Sequence, residues 1–131
     1  MKVEDLMIGD WYYWEAEGKK YPMQVTKDTF KLSDEDISNF QPIPITERFL
    51  TKNDFFCLGT SQKYHLRRSI HYAAYGKVTI EPTTISVDGN TVWNLEIASL
   101  SYGEGTILIQ YVHELQHDFR TFGFEQKEIK L

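Results

Sequence analysis

Thr84-Ile85-Ser86-Val87-Asp88-Gly89-Asn90-Thr91-Val92-Trp93-Asn94-Leu95-Glu96-Ile97-Ala98 decides the fold class. Asp88-Gly89-Asn90 is a turn signal between two runs of strand-forming residues. In the second run Val92, Asn94 and Glu96 alternate with Trp93, Leu95 and Ile97. Strand side chains point alternately to opposite faces, so one face leans polar and the other is apolar. Residues 77–81, 55–58 and 64–72 read as further strands before this hairpin. Gly103-Glu104-Gly105 reads as a turn after it, and Lys127, Ile129 and Leu131 alternate with Glu128 and Lys130 in a short final strand.

The start of the chain also reads as strands. Asp10-Trp11-Tyr12-Tyr13-Trp14-Glu15 is rich in strand-forming aromatics, and Glu17-Gly18-Lys19-Lys20 is a turn. Residues 21–26 return, and 29–32 form a third short strand. Together they predict a small, strongly bent antiparallel sheet. Residues 33–39 are polar and acidic, a loop or single helical turn. Pro42 and Pro44 hold the next residues extended.

Two helices interrupt the strands. Thr46 is the predicted N-cap of a short helix over 47–52, with Glu47 in its first turn and Asn53 ending it in the left-handed conformation. A longer helix is predicted over about 110–122. Val112, Leu115, Phe119 and Phe122 fall on one stripe at helical spacing, and Gly123 stops it.

The longer helix contains His113-Glu114-Leu115-Gln116-His117, the His-Glu-x-x-His pattern of zinc metalloproteases. Two His four apart share a helix face and can hold one Zn²⁺, and the Glu can act as general base on a metal-bound water. Three observations oppose a functional site. Catalytic zinc needs a third protein ligand. One protease group places a His six residues after the second motif His and a Gly three residues after it. Those positions hold Gly123 and Arg120 here, and Asp118 and Glu125 have no established spacing. The flank is charged, through Asp118 and Arg120. At ~100° per residue, His113 and His117 point roughly 140–180° from the apolar stripe, predicting an exposed pair.

Composition narrows the remaining classes. The chain has 131 residues, the size of one domain. Aromatics make up 15%, so few residues suffice to fill a core. A net charge of −5 argues against a broad nucleic-acid grip, which needs a basic surface. The single Cys57 excludes an intrachain disulfide, fits a reducing compartment and, within Phe55-Phe56-Cys57-Leu58, reads as buried. No signal peptide and no run of ~20 apolar residues is read, so the expectation is a cytoplasmic protein with no membrane contact.

Two surface sets remain. Lys63, His65, Arg67, Arg68 and His71 form the only basic cluster, read as a solvated strand face able to meet phosphate or an acidic partner. In Trp11-Tyr12-Tyr13-Trp14, one alternate pair belongs in the core. The other can be partly exposed, as a stacking platform for a base, sugar or peptide. The chain holds no phosphate-binding Gly loop, nucleophile elbow or Cys cluster.

Three stretches together resemble a known pattern. They are Val3-Glu4-Asp5-Leu6-Met7-Ile8-Gly9-Asp10-Trp11, Ile43-Pro44-Ile45-Thr46-Glu47-Arg48-Phe49-Leu50-Thr51-Lys52-Asn53-Asp54-Phe55, and the helix beginning Ile109-Gln110-Tyr111-Val112-His113. They resemble a family of small uncharacterised bacterial proteins often found near phage and mobile-element genes. The resemblance implies that Glu114 and His117 are local variants, since Gln and Asn are usual there. It carries no activity, cofactor or catalytic residues. Asp10 and Asp54 stand where Asn and Gly are usual. The opening also resembles the first strands of SH3-like barrels, which often bind peptides or nucleic acid, by fold analogy alone.

The expected protein is α+β: an antiparallel, partly SH3-like, barrel-like β-structure with helices near 47–52 and 110–122. It is one domain over 1–131, with an SH3-like subregion at about 1–45. The first expectation for function is a non-enzymatic binding or accessory module for a protein or peptide partner, with no catalytic residue, cofactor or metal. The second is a minimal zinc hydrolase on His113, Glu114 and His117. The third is a weak nucleic-acid binder.

Overall fold

The computed structural model describes residues 6–67, 76–99, 102–124 and 128–131. The chain is α+β, and its described residues form two antiparallel sheets of three and five strands. Among the described residues neither sheet closes into a barrel. The chain divides into two compact units, one of Met1–Ile43 with Tyr111–His113, the other of Pro44–Gln110 with Glu114–Leu131.

In the first unit, strands β1 (Trp11–Ala16), β2 (Lys19–Gln24) and β3 (Phe40–Pro42) pair in the order β2-β1-β3. Glu17 and Gly18 join β1 to β2 with φ of 54° and 75°, the two positive angles of a turn whose twist suits a hairpin. Tyr12 is fully buried in a core with Leu6, Val25, Ile37 and Phe40, and Trp14 packs against it.

Residues 29–32 do not form the third strand expected from their composition. Lys27–Lys31 is a 3-10 helix instead. The Thr29 hydroxyl accepts the Thr26 N–H at 3.0 Å, and the Thr29 carbonyl accepts the Leu32 N–H. These local bonds satisfy the backbone within a turn and leave little for a ladder. One helical turn follows as α1 (Asp34–Ile37), whose Asp36 N–H is capped by the Ser33 hydroxyl.

The second unit holds strands β4 (Phe55–Cys57), β5 (Tyr64–Leu66), β6 (Gly76–Val87), β7 (Asn90–Ser99) and β8 (Gly103–Ile109), each paired with its chain neighbour. Asp88 and Gly89, both at positive φ, turn β6 into β7 as expected. The two strand runs expected around Pro82 are one strand with a register shift between Pro82 and Ser86. Pro82 lacks an N–H to donate. Nearby, the Thr83 hydroxyl donates to the Val92 carbonyl at 2.7 Å.

Gly103-Glu104-Gly105 is not a turn but the start of β8. Gly105 lies opposite Ile97 and has room for the Phe122 ring, which sits 3.0 Å from where a Cβ would stand. That glycine therefore serves packing rather than chain reversal.

Helix α2 (Glu47–Lys52) matches its expected span, and the Thr46 hydroxyl caps it by accepting the Phe49 N–H at 3.2 Å. Asn53 is not left-handed; Asp54 takes that conformation, with φ of 70°. Helix α3 (Val112–Thr121) is shorter at both ends than expected. Leu115 and Phe119 are buried, and Gly123 at φ 82° follows the helix as its stop.

No strand is present over 128–131. The buried Asn53 side chain holds this segment, its amide donating to the Lys130 carbonyl and accepting the Lys130 N–H, both at 2.6 Å. Lys52 Nζ donates to the Leu131 carbonyl.

Candidate functional site

The two faces of the five-stranded sheet differ in chemistry. One carries Tyr64, Val78, Ile80, Trp93, Leu95, Ile97 and Ile109, all buried. The other bears a row that crosses every strand: Phe56, His65, Thr79, Glu96 and Thr106 are successive register partners, of which Thr79 is buried beneath its neighbours. Parity does this. Cross-strand partners share a face, so alternation along each strand becomes a stripe across the sheet.

Polar groups meet on this second face. Lys63 Nζ lies 3.8 Å from Glu96 Oε2, with both side chains roughly a third to a half exposed, so the pair is worth about 0–1 kcal/mol. The Thr79 hydroxyl reaches the same carboxylate at 3.5 Å. Beside Glu96 an open cavity of about 440 Å³ is lined by Lys77, Ala98, Glu104 and Thr106 among others. At the β4–β5 side, the Arg67 guanidinium sits 4.9 Å from the Phe56 ring centroid, and His65 lies 5.8 Å from that ring.

The expected basic cluster is thus placed only in part. His65 lies in the row, Lys63 and Arg67 flank it, and Lys63 pairs with an acid. Arg68 and His71 lie outside the described residues. Sequence reading found the polar side of β7 through Glu96 but missed Phe56, Thr79 and Thr106. Their signal is the register between strands, which one strand's pattern does not contain. Cys57 is a half-buried free thiol rather than a buried one.

His113 and His117 are both half-buried, not exposed. In the first unit, the His113 ring stacks on Tyr12 at 4.9 Å and on Tyr111 at 6.0 Å, and its Nδ1 is buried. The stack continues through Phe40, 6.1 Å from Tyr12, to Trp14. The helical wheel predicted an exposed His113, and it could not show the rings of Tyr12 and Tyr111 that stack on it. In the second unit, Glu114 Oε1 accepts the Gln110 N–H at 3.1 Å, so its carboxylate caps the start of α3. Among the described residues no group of three or more His, Cys, Asp or Glu is placed to hold a metal ion.

Asp118 is the perturbed acid of this helix. Burial, and secondarily the charge of Glu114, raise its carboxyl from 3.8 to about 6, against a lowering influence from His117. The folded form therefore holds its proton more tightly than the unfolded chain. Stability from this group is full below about pH 4 and falls as pH rises to about 6. The displacement is worth up to about 3 kcal/mol. Asp118 is only half-buried, and solvent screening reduces this to about 1 kcal/mol. Asp118→Asn is expected to stabilise the protein by about that amount at pH 7 and to flatten its melting temperature between pH 4 and 6. Unchanged pH dependence in the variant would refute this.

In the three-stranded sheet, Tyr12 and Trp14 form the core pair, while Trp11 and Tyr13 are half-buried on the opposite face. Lys20 Nζ lies 6.0 Å from the Tyr13 ring centroid. Among the described residues no helix is long and apolar enough to cross a membrane. Comparison of the chain with protein-family models, with curated proteins and with solved structures returned no match.

Proposed function

We propose that this chain is a non-enzymatic binding or accessory module that engages a protein or peptide partner on the open face of its five-stranded sheet. One observation carries the reading: the Phe56–His65–Thr79–Glu96–Thr106 row beside an open cavity lined by both signs of charge. Phe56 offers apolar area, the Arg67 guanidinium and the Glu96 carboxylate offer opposite charges, and Thr106 offers a hydroxyl. That mixture suits a polypeptide surface with apolar and charged groups of its own. The module acts in the cytoplasm, as an accessory to a phage or mobile element of the kind whose genes lie near the family it resembles.

Selection from a random peptide display library tests this directly. Binders to the wild-type protein should lose about tenfold or more in affinity on Glu96→Lys, because the charge they meet is reversed. Their amide shift changes should centre on Phe56, His65, Glu96 and Thr106. Binders that map elsewhere and ignore Glu96→Lys would refute the reading.

The nucleic-acid alternative is weaker on this face, where Glu96 and Glu104 stand among the cations. Any DNA or RNA binding should be weak, should fall steeply with salt, and should be removed by Arg67→Ala with Arg68→Ala. Tight binding that survives both changes would place the surface elsewhere.

The zinc alternative requires His113 to leave its aromatic stack and Glu114 to give up its cap. The tag-free protein is expected to purify without stoichiometric zinc, and a chelator to leave its melting temperature unchanged. Glu114→Gln should fold normally, since it keeps an oxygen for the Gln110 N–H. One tightly held zinc per chain, with peptide hydrolysis abolished by Glu114→Gln, would instead establish the hydrolase.

A further inference from the structure

Among the described residues the two sheets have four edge strands: β2, β3, β4 and β8. An edge strand presents unpaired backbone groups that can pair with another chain, and proteins blunt such edges with charged side chains (Lys above all), Pro or short length. Three edges here are blunted. β2 carries Lys19, Lys20 and Pro22. β3 has three residues and ends at Pro42. β4 has three residues.

Of these devices β8 has only one charged side chain, Glu104. It runs seven residues, Gly103-Glu104-Gly105-Thr106-Ile107-Leu108-Ile109, with no Lys and no Pro. Among the described residues no strand pairs with its outer edge. Leu108, on the open face of this strand, is 57% exposed.

We propose that β8 pairs antiparallel with β8 of a second copy of this chain, about a two-fold axis at Thr106. Thr106 is the middle residue, so this register uses the whole strand. It sets Thr106 opposite Thr106, and Glu104 opposite Leu108 of the other copy. No like charges face each other, and the only charged side chain of the strand lies against an apolar one. The register also keeps the faces matched: even-numbered residues meet even-numbered ones, so both open faces lie on one side. A slip by one residue would set the open face of one copy against the buried face of the other. The product is a ten-stranded sheet with two-fold symmetry, which presents the Phe56–Thr106 row twice.

Sedimentation across a concentration series, with cysteine cross-linking, tests the pairing. The wild-type protein should form a dimer reversibly. Thr106→Lys sets two cations opposite each other and should weaken the dimer by about fivefold or more. Thr106 is exposed, so the variant should melt like the wild type. In a Cys57→Ser background, Thr106→Cys should cross-link between chains on oxidation with copper–phenanthroline, because directly opposed strand residues lie within disulfide reach. Glu104→Cys alone should not, since the two copies of that residue sit about 13 Å apart along the strands. Glu104→Cys together with Leu108→Cys should. A protein that stays monomeric at every concentration, a dimer indifferent to Thr106→Lys, or cross-linking of Glu104→Cys alone would overturn the proposal. Peptide binding to the open face is measured separately and does not depend on this outcome.

Discussion

Phe119→Ala is expected to lower the stability of this protein by about 3–5 kcal/mol. Phe119 is 2% exposed, and its ring packs on Phe124 with centroids 5.8 Å apart. The backbone reinforces that contact, since the Phe124 N–H donates to the Phe119 carbonyl at 2.6 Å. Truncation removes a large buried ring and leaves a cavity that Phe124 cannot fill without moving the segment after α3. The loss approaches the whole stability of a small domain, so Phe119→Leu provides the readable companion. It keeps most of the apolar volume and should cost about 1–1.5 kcal/mol. Urea denaturation of both variants checks the order. A loss below about 1 kcal/mol for Phe119→Ala would mean that α3 packs by another face.

Asn53→Ala should cost roughly 2–4 kcal/mol, a large effect for a side chain outside the apolar core. Asn53 is 1% exposed and makes three bonds: to the Phe49 carbonyl at 2.9 Å, to the Lys130 carbonyl and from the Lys130 N–H. Each is worth about 0.5–1.5 kcal/mol net, and removing the amide leaves Lys130 backbone groups without these partners. Asn53→Asp should not rescue. It keeps the acceptor for the Lys130 N–H but loses both donors and sets a charge beside two carbonyls. Hydrogen exchange at the Lys130 amide gives the local readout, and protection there should fall in both variants. Protection that persists in Asn53→Ala would show that other contacts hold residues 128–131.

The same residues mark how far the sequence could be read. Local signals were legible wherever one element carried its own evidence. Thr46 capped its helix, Asp88-Gly89 turned its hairpin, Leu115 and Phe119 marked the inner side of α3, and the alternation through Trp93, Leu95 and Ile97 identified the buried side of β7. The α+β class followed from these. Misreadings arose mostly where a residue's role belongs to a distant partner; the 3-10 turn at Lys27–Lys31, closed by bonds among Thr26, Thr29 and Leu32, is the local exception. Gly105 reads as a turn residue until Phe122 is seen occupying the space beside it. Alternation over 127–131 reads as a strand, yet Lys130 is held by the side chain of Asn53, 77 positions away.

The candidate sites divide in the same way. The His-Glu-x-x-His spacing is a property of one helix and is fully visible in sequence. What His113 does depends on Tyr12, a hundred residues earlier, which stacks on its ring. The polar character of Glu96 is likewise local, but its place in a five-strand row is set by backbone pairing with Thr79 and Thr106. Propensity, capping and periodicity act within a few residues and are written in the chain. Register and ring stacking are long-range, and their energies exist only once the strands have paired.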